Sequence, residues 1–153
     1  MGVKKQIGER FRIDRAQILL VGFDAGAHYA AYLGMKYPEE FSAAVLFREA
    51  WAGPFEKIIR LNSDPRKRIS FFLALDPESD LFSRTETKAL EFEKKGYVVK
   101  LETLKKGEAE AILWPEIIQW FLNDVESRTI LKEKPKVTFK EKFKGAVHNF
   151  FEV

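Results

Sequence analysis

Short apolar runs alternate along the chain with segments whose apolar residues recur every three or four positions, the pattern of strands and crossover helices in a parallel sheet. It predicts strands near Ala16–Val21, Ala43–Phe47, Ile69–Leu75 and Tyr97–Leu101, with helices between them. One helix near Val3–Phe11 precedes the first strand. A second starts around Ala25 and runs to Tyr37, where Pro38 ends it by disfavouring helical dihedrals in the residue before it. The run "GPFEKIIRLN", Gly53–Asn62, suggests a short helix with Pro54 in its first turn, where a missing N–H does no harm. Ser83-Arg84-Thr85-Glu86 has the form of a capping box, and Gly96 is placed to end the helix such a box would open. The last helix opens at Trp114-Pro115 and carries Ile117, Ile118, Phe121 and Leu122 as a stripe expected to lie on the sheet.

Parallel strands laid side by side through right-handed crossovers put their connecting helices on one face of the sheet. The last helix then takes the opposite face. The expected fold is α/β, a three-layer or partly two-layer sandwich around a mainly parallel sheet of about four strands. Residues 1–124 would form this domain, and residues 125–153 a Lys- and Phe-rich extension. In the extension, Val137 and Phe139 alternate as on a strand, while Phe143, Val147, Phe150 and Phe151 recur at helical spacing. A parallel sheet is normally buried on both faces, and here the second face has little cover besides the last helix. The extension is expected to supply that cover, within the chain or by exchange in a homodimer. A missing N-terminal half of a longer protein is the alternative.

Composition narrows the class. A chain of 153 residues suits one hydrophobic core, and fourteen Phe with three Trp imply a substantial one. The net charge of +3 is small beside 26 basic and 23 acidic residues and does not by itself call for nucleic acid. Lys132, Lys134, Lys136, Lys140, Lys142 and Lys144, interleaved with Phe139 and Phe143, resemble a backbone-contacting segment, but Glu133 and Glu141 dilute the field. A solvated amphipathic segment is the preferred reading, and nucleic acid is not an expected partner. With no Cys, disulfides, thiolate nucleophiles and Cys-ligated zinc are excluded. The N-terminus has no signal-like apolar run and no stretch is long and apolar enough to span a membrane, so a cytoplasmic location is expected.

Candidate chemistry centres on Gly22-Phe23-Asp24-Ala25-Gly26, at a strand-to-helix turn. This is the setting of the G-x-S-x-G nucleophile elbow, with Asp where the serine would stand and small residues where a tight turn needs them. No Lys-Ser/Thr follows the glycines, so a phosphate loop is excluded. Asp76, Glu78 and Asp80 lack the spacing of a calcium loop and read as a solvated acidic turn; no metal and no cofactor are expected. Asp24 itself reads as a helix cap, accepting from an N–H about three residues on. His28, one turn into that helix, reads as a packing or hydrogen-bonding residue, and His148 belongs to no constellation.

The stretch "FRIDRAQILLVGFDAGAHYAAYLGMKYPEEFSAAV" resembles the elbow region of α/β-hydrolase esterases and carboxylesterase-like peptidases, through Ile13-Asp14, Gly22-Phe23, His28 and Lys36-Tyr37-Pro38. The likeness extends over roughly Val3–Asn123. It implies an α/β-hydrolase-like sheet lacking the family's first strands, Asp24 at the nucleophile position, Asp80 (or Asp76) at the position of the orienting acid, and Glu110 at that of the histidine. It also makes the N–H of Ala25 the first oxyanion donor, the second coming in that family from a loop ahead of anything in this chain. Some relatives use an Asp nucleophile, but they keep a histidine to activate water, and three clustered carboxylates repel one another. The implied function is therefore an inactive protein of esterase ancestry that binds or scaffolds. The alternatives are a hydrolase using Asp24 as nucleophile and, further off, a nucleic-acid accessory module using the Lys-rich extension.

Overall fold

The computed structural model describes residues 2–14, 17–51, 61–105 and 110–133. Residues 53–60 of the helix expected over Gly53–Asn62, the loop at Gly107–Ala109 and the contacts expected of residues 134–153 lie outside them. Four strands form one parallel sheet in the order of the chain: β1 (Leu19–Phe23), β2 (Ala43–Arg48), β3 (Ser70–Leu75) and β4 (Val99–Thr103). The register is continuous, with Val21 opposite Val45, Val45 opposite Phe72, and Phe72 opposite Lys100. Among the described residues four α-helices accompany the sheet: α1 (Gly2–Arg10), α2 (Ala25–Lys36), α3 (Phe82–Lys94) and α4 (Trp114–Glu133).

The central strands are buried on both faces, as their unbroken apolar runs require. On one side Ala44, Leu46, Phe71 and Leu73 pack with Ala27, Ala30 and Ala31 of α2 and Ala89 and Phe92 of α3. Trp51 completes this layer, stacked on Phe92 at 4.4 Å and edge-on to Phe71 at 5.1 Å. On the other side Val45, Phe47, Phe72 and Ala74 meet Ile117, with Trp114 and Trp120 at the margins. The segregation of helices expected from right-handed crossovers is what the structure shows: α2 and α3 on one face, α4 on the other.

Four expectations need correction. The first and last strands lie two to three residues later than the apolar runs suggested. Tyr97 is excluded from β4 because it belongs to the end of α3: Gly96, at φ 83°, and Tyr97 send their N–H groups to Glu93 and Phe92 (2.8 and 3.0 Å), while the Tyr97 and Phe92 rings meet at 5.1 Å. This is the paired closure of a Schellman turn with its apolar contact. The capping box does not form, because α3 begins at Phe82 and places Ser83 inside the helix. Thr85 is buried instead, its hydroxyl donating to the carbonyl of Ala50 at 3.0 Å. Finally, Ile117 and Phe121 face the sheet but Ile118 and Leu122 are exposed. Each lies 100° further round the helix, and the facing stripe continues through Asp124 and Arg128.

That continuation is polar and fixes α4 to the start of β3. Asp124, buried, accepts a hydrogen bond from the Ser70 hydroxyl at 2.8 Å and pairs with Arg128 Nε at 2.9 Å. Arg128 also donates to the carbonyl of Arg68 at 2.9 Å and to the Ser70 hydroxyl. At the other end of α4, Trp114 meets Phe47 at the end of β2. The helix therefore runs antiparallel to the strands.

Candidate functional site

The C-terminal ends of parallel strands are where loops diverge and leave a crevice, and this sheet follows the rule. A shallow cleft of about 580 Å³ lies there, lined by Asp24 after β1, Arg48 and Glu49 ending β2, and Asp76, Glu78, Ser79, Asp80 and Leu81 after β3. Among the described lining residues, five carboxylates face one guanidinium, and there is no imidazole. No group of three or more His, Asp or Glu among the described residues is arranged to hold a metal ion.

Asp24 sits in a strained strand-to-helix turn, at φ 47° and ψ −123°. An L-residue there carries a cost on the order of 1–3 kcal/mol, which persists only where the surroundings over-determine the backbone. Two contacts do so. The Asp24 N–H donates to the carbonyl of Phe47 on the neighbouring strand at 3.2 Å, and its own carbonyl accepts from Ala27 at 2.9 Å. The turn also needs glycine at position 22, because a Cβ there would lie 2.4 Å from the carbonyl oxygen of Gly26 and 2.6 Å from Ala27 Cα. Arg48 (φ 70°) and Trp51 (φ 54°) share the left-handed region, so the rim concentrates conformations that L-residues rarely adopt.

The expected helix cap is not made. The Asp24 side chain forms no hydrogen bond to the first turn of α2. Side-chain capping requires β-region dihedrals that aim the carboxylate back at the N–H groups, and a left-handed residue cannot present it that way. Its carboxylate instead points into the cleft, with Arg48 Nη1 at 3.7 Å from Oδ1. Both side chains are largely exposed, so the pair contributes little to stability.

Of the residues singled out from the sequence, Asp24, Asp76, Glu78 and Asp80 line the same cleft. Asp76 is engaged by its own loop, Oδ1 accepting from the N–H of Glu78 at 2.9 Å and the carbonyl from Ser79 at 3.1 Å. Ala25 is the first residue of α2, immediately after the turn. Glu110 opens a short 3-10 turn, Glu110–Leu113, just after the undescribed residues 106–109. His28 is buried behind the rim with Nε2 3.3 Å from Glu49 Oε2. Sequence reasoning passed over Arg48 and Glu49. The signal was there: a charged pair closing the apolar run "AAVLF" marks the strand end at which a parallel sheet opens to ligands.

Comparison with known proteins locates this arrangement. No family model matches the chain, and no curated protein matches it. Among solved structures it is similar to an α/β-hydrolase enzyme from a Medee basin deep-sea metagenome library, with a TM-score of 0.60 and 18% sequence identity. The match covers 82% of this chain and 61% of that one. This chain thus corresponds to less than two thirds of the enzyme's length. No helix among the described residues is long and apolar enough to cross a membrane. Four consecutive parallel strands, helices on both faces, a strained strand-to-helix elbow after the first strand and this structural match together identify an α/β-hydrolase-like fold.

Proposed function

We propose that the chain is a protein of esterase ancestry that no longer hydrolyses esters and works by binding or scaffolding. The observation that carries this reading is the elbow side chain itself: a carboxylate paired to Arg48 in a cleft whose described lining holds five carboxylates and no imidazole. Ester hydrolysis places a new negative charge on the carbonyl oxygen, and hydrogen-bond donors must meet it there. The carboxylates that line this cleft oppose such a charge. The Asp24 carboxylate has no proton to lose on attack, but the resulting ester must still be released by an activated water, and the resemblance puts Glu110, a weak base, where the histidine would act.

The test is turnover of short-chain aryl esters by the purified chain against its Asp24→Ala variant. Equal, background-level rates are expected. A wild-type rate well above the variant's would overturn the reading.

One observation favours a second reading, an enzyme with Asp24 as nucleophile: the elbow keeps its strained dihedrals and an exposed carboxylate. A carboxylate oxygen could displace halide from an alkyl halide, forming a C–O bond and leaving an ester on Asp24 that persists without a water-activating base. Incubation with a short alkyl bromide followed by peptide mass analysis separates the two readings. An alkyl adduct confined to Asp24, or bromide release that Asp24→Ala abolishes, would support the enzyme, and the absence of both would remove it.

A further inference from the structure

The two edges of the sheet differ in kind. β4 carries Lys100 and Glu102, the charged side chains that commonly discourage further pairing at an edge. β1, "LLVGF", carries none, and among the described residues it pairs only with β2. Its alternation puts Leu19, Val21 and Phe23 on the face that α4 covers, yet Val21 is 38% and Phe23 45% exposed. Phe23 stacks one side of its ring on Phe47 at 4.6 Å.

The placement of α4 explains the gap. Glu116 pairs with Lys100 of β4 at 2.7 Å, and Trp120 meets Phe72 of β3, so that flank of the helix is turned toward β3 and β4. The opposite flank, carrying Ile118 and Leu122 at 52% and 48% exposure, therefore overlooks β1. These exposures and the helix angles together place Val21 and Phe23 as the floor, and Ile118 and Leu122 as the wall, of an apolar groove along β1. Four large apolar side chains gathered along one channel mark a surface that is normally covered.

We propose that residues 134–153 of the same chain occupy this groove. Three observations favour them over a second copy of the chain. Because α4 runs antiparallel to the strands, its end at Glu133 delivers the following residue to the edge of the sheet at which β1 begins, the open end of the groove. Twenty residues at about 3.3 Å each reach some 60 Å, against roughly 17 Å for a five-residue strand, so half the segment suffices to line it. The composition matches both surfaces. Phe139, Phe143, Val147, Phe150 and Phe151 suit the apolar channel, and five lysines against two glutamates suit the acidic rim where β1 ends. A second copy would have to bring the same segment from further away at a concentration cost.

The chain's lack of cysteine makes the test direct. In the full-length protein, Leu122→Cys is combined in turn with Phe139→Cys, Phe143→Cys, Val147→Cys and Phe151→Cys, and disulfide formation is followed under dilute oxidant, alongside solution mass and binding of an apolar fluorescent dye. A monomeric mass, an intramolecular disulfide in at least one pair and weak dye fluorescence are expected. Replacing the four phenylalanines 139, 143, 150 and 151 by Ser in the full chain should raise the fluorescence about ten-fold without changing the helical signal of the domain. Intermolecular disulfides in a stable dimer would show that a second copy fills the groove. A monomer with strong dye binding and no disulfide in any pair would show the groove empty. Either result overturns the proposal.

Discussion

Three glycines around α2 offer a graded test of how the elbow is held, because an added methyl group meets different surroundings at each. At Gly22 the new Cβ would stand 2.4 Å from the Gly26 carbonyl oxygen and 2.6 Å from Gly26 C and Ala27 Cα, all backbone atoms of the helix that follows. Normal contact needs about 1 Å more, which only separation of α2 from β1 supplies, and overpacking of this kind costs about 3 kcal/mol. At Gly34 the nearest atom is closer still, Ile69 Cδ1 at 2.2 Å, but it is the tip of a side chain. Turning Ile69 off its rotamer costs about 1 kcal/mol, and the gain of about 0.5–1 kcal/mol from replacing glycine within a helix offsets it. At Gly26 nothing lies within 4 Å, so alanine stabilises by about 0.5 kcal/mol. Urea unfolding followed by helical circular dichroism should rank the midpoints Gly26→Ala above wild type, Gly34→Ala near wild type and Gly22→Ala lowest. With a slope of about 2 kcal/mol/M, the Gly22→Ala midpoint falls by about 1.5 M. Were Gly22→Ala to unfold within about 0.3 M of Gly26→Ala, the claim that backbone contact shapes the elbow would be wrong. Distance alone would reverse the order of Gly22 and Gly34.

Two further predictions concern charge. Asp124→Ala leaves Arg128 without its anion and the Ser70 hydroxyl without its acceptor, and should cost about 3 kcal/mol, the lower end for a broken buried pair because Arg128 is partly exposed. Asp124→Asn, which keeps an acceptor for Ser70, should recover part of the loss in the same urea assay; equal midpoints for wild type and Asp124→Ala would dismiss the clamp. Glu91 accepts hydrogen bonds from Lys88 and Lys95, which hold its carboxyl down to about 2 from the ordinary 4.5. A carboxyl lowered on folding stabilises the fold above its unfolded value, and that contribution is lost as pH falls from about 4.5 toward 2. Across this window the wild-type melting temperature should drop more than that of Glu91→Gln, with the difference shrinking in high salt; parallel curves would refute the assignment.

The fold was legible because its signal is coarse. Runs such as "AAVLF" and "ISFFLAL" have no polar alternation, and only strands buried on both faces need none. Details that depend on where a helix begins were not legible. Ser83 and Glu86 have capping spacing, but Phe82 is drawn into the margin of the core and the helix starts two residues too early for the box. The apolar stripe of α4 was too wide by two residues because periodicity alone does not reveal that Asp124 and Arg128 continue the buried side. Around the elbow, glycine and alanine spacing announced the tight turn, but the direction of the Asp24 carboxylate follows from a left-handed φ that no residue type signals. Arg48 and Glu49 were visible as letters and became site residues only once β1 and β3 stood on either side of β2.

The hexapeptide "SFFLAL" of β3 lies at the middle of the sheet with every residue buried. Within the hexapeptide there is no proline and no charge to discourage cross-β stacking, so native burial and the flanking Arg66-Lys67-Arg68 and Asp76-Pro77 are what shelter it. Parallel strands pair only after the intervening crossover has closed, so this segment stays accessible through the early part of folding. Rapid dilution at low protein concentration should accordingly recover far more native chain than slow dialysis of a concentrated denatured stock.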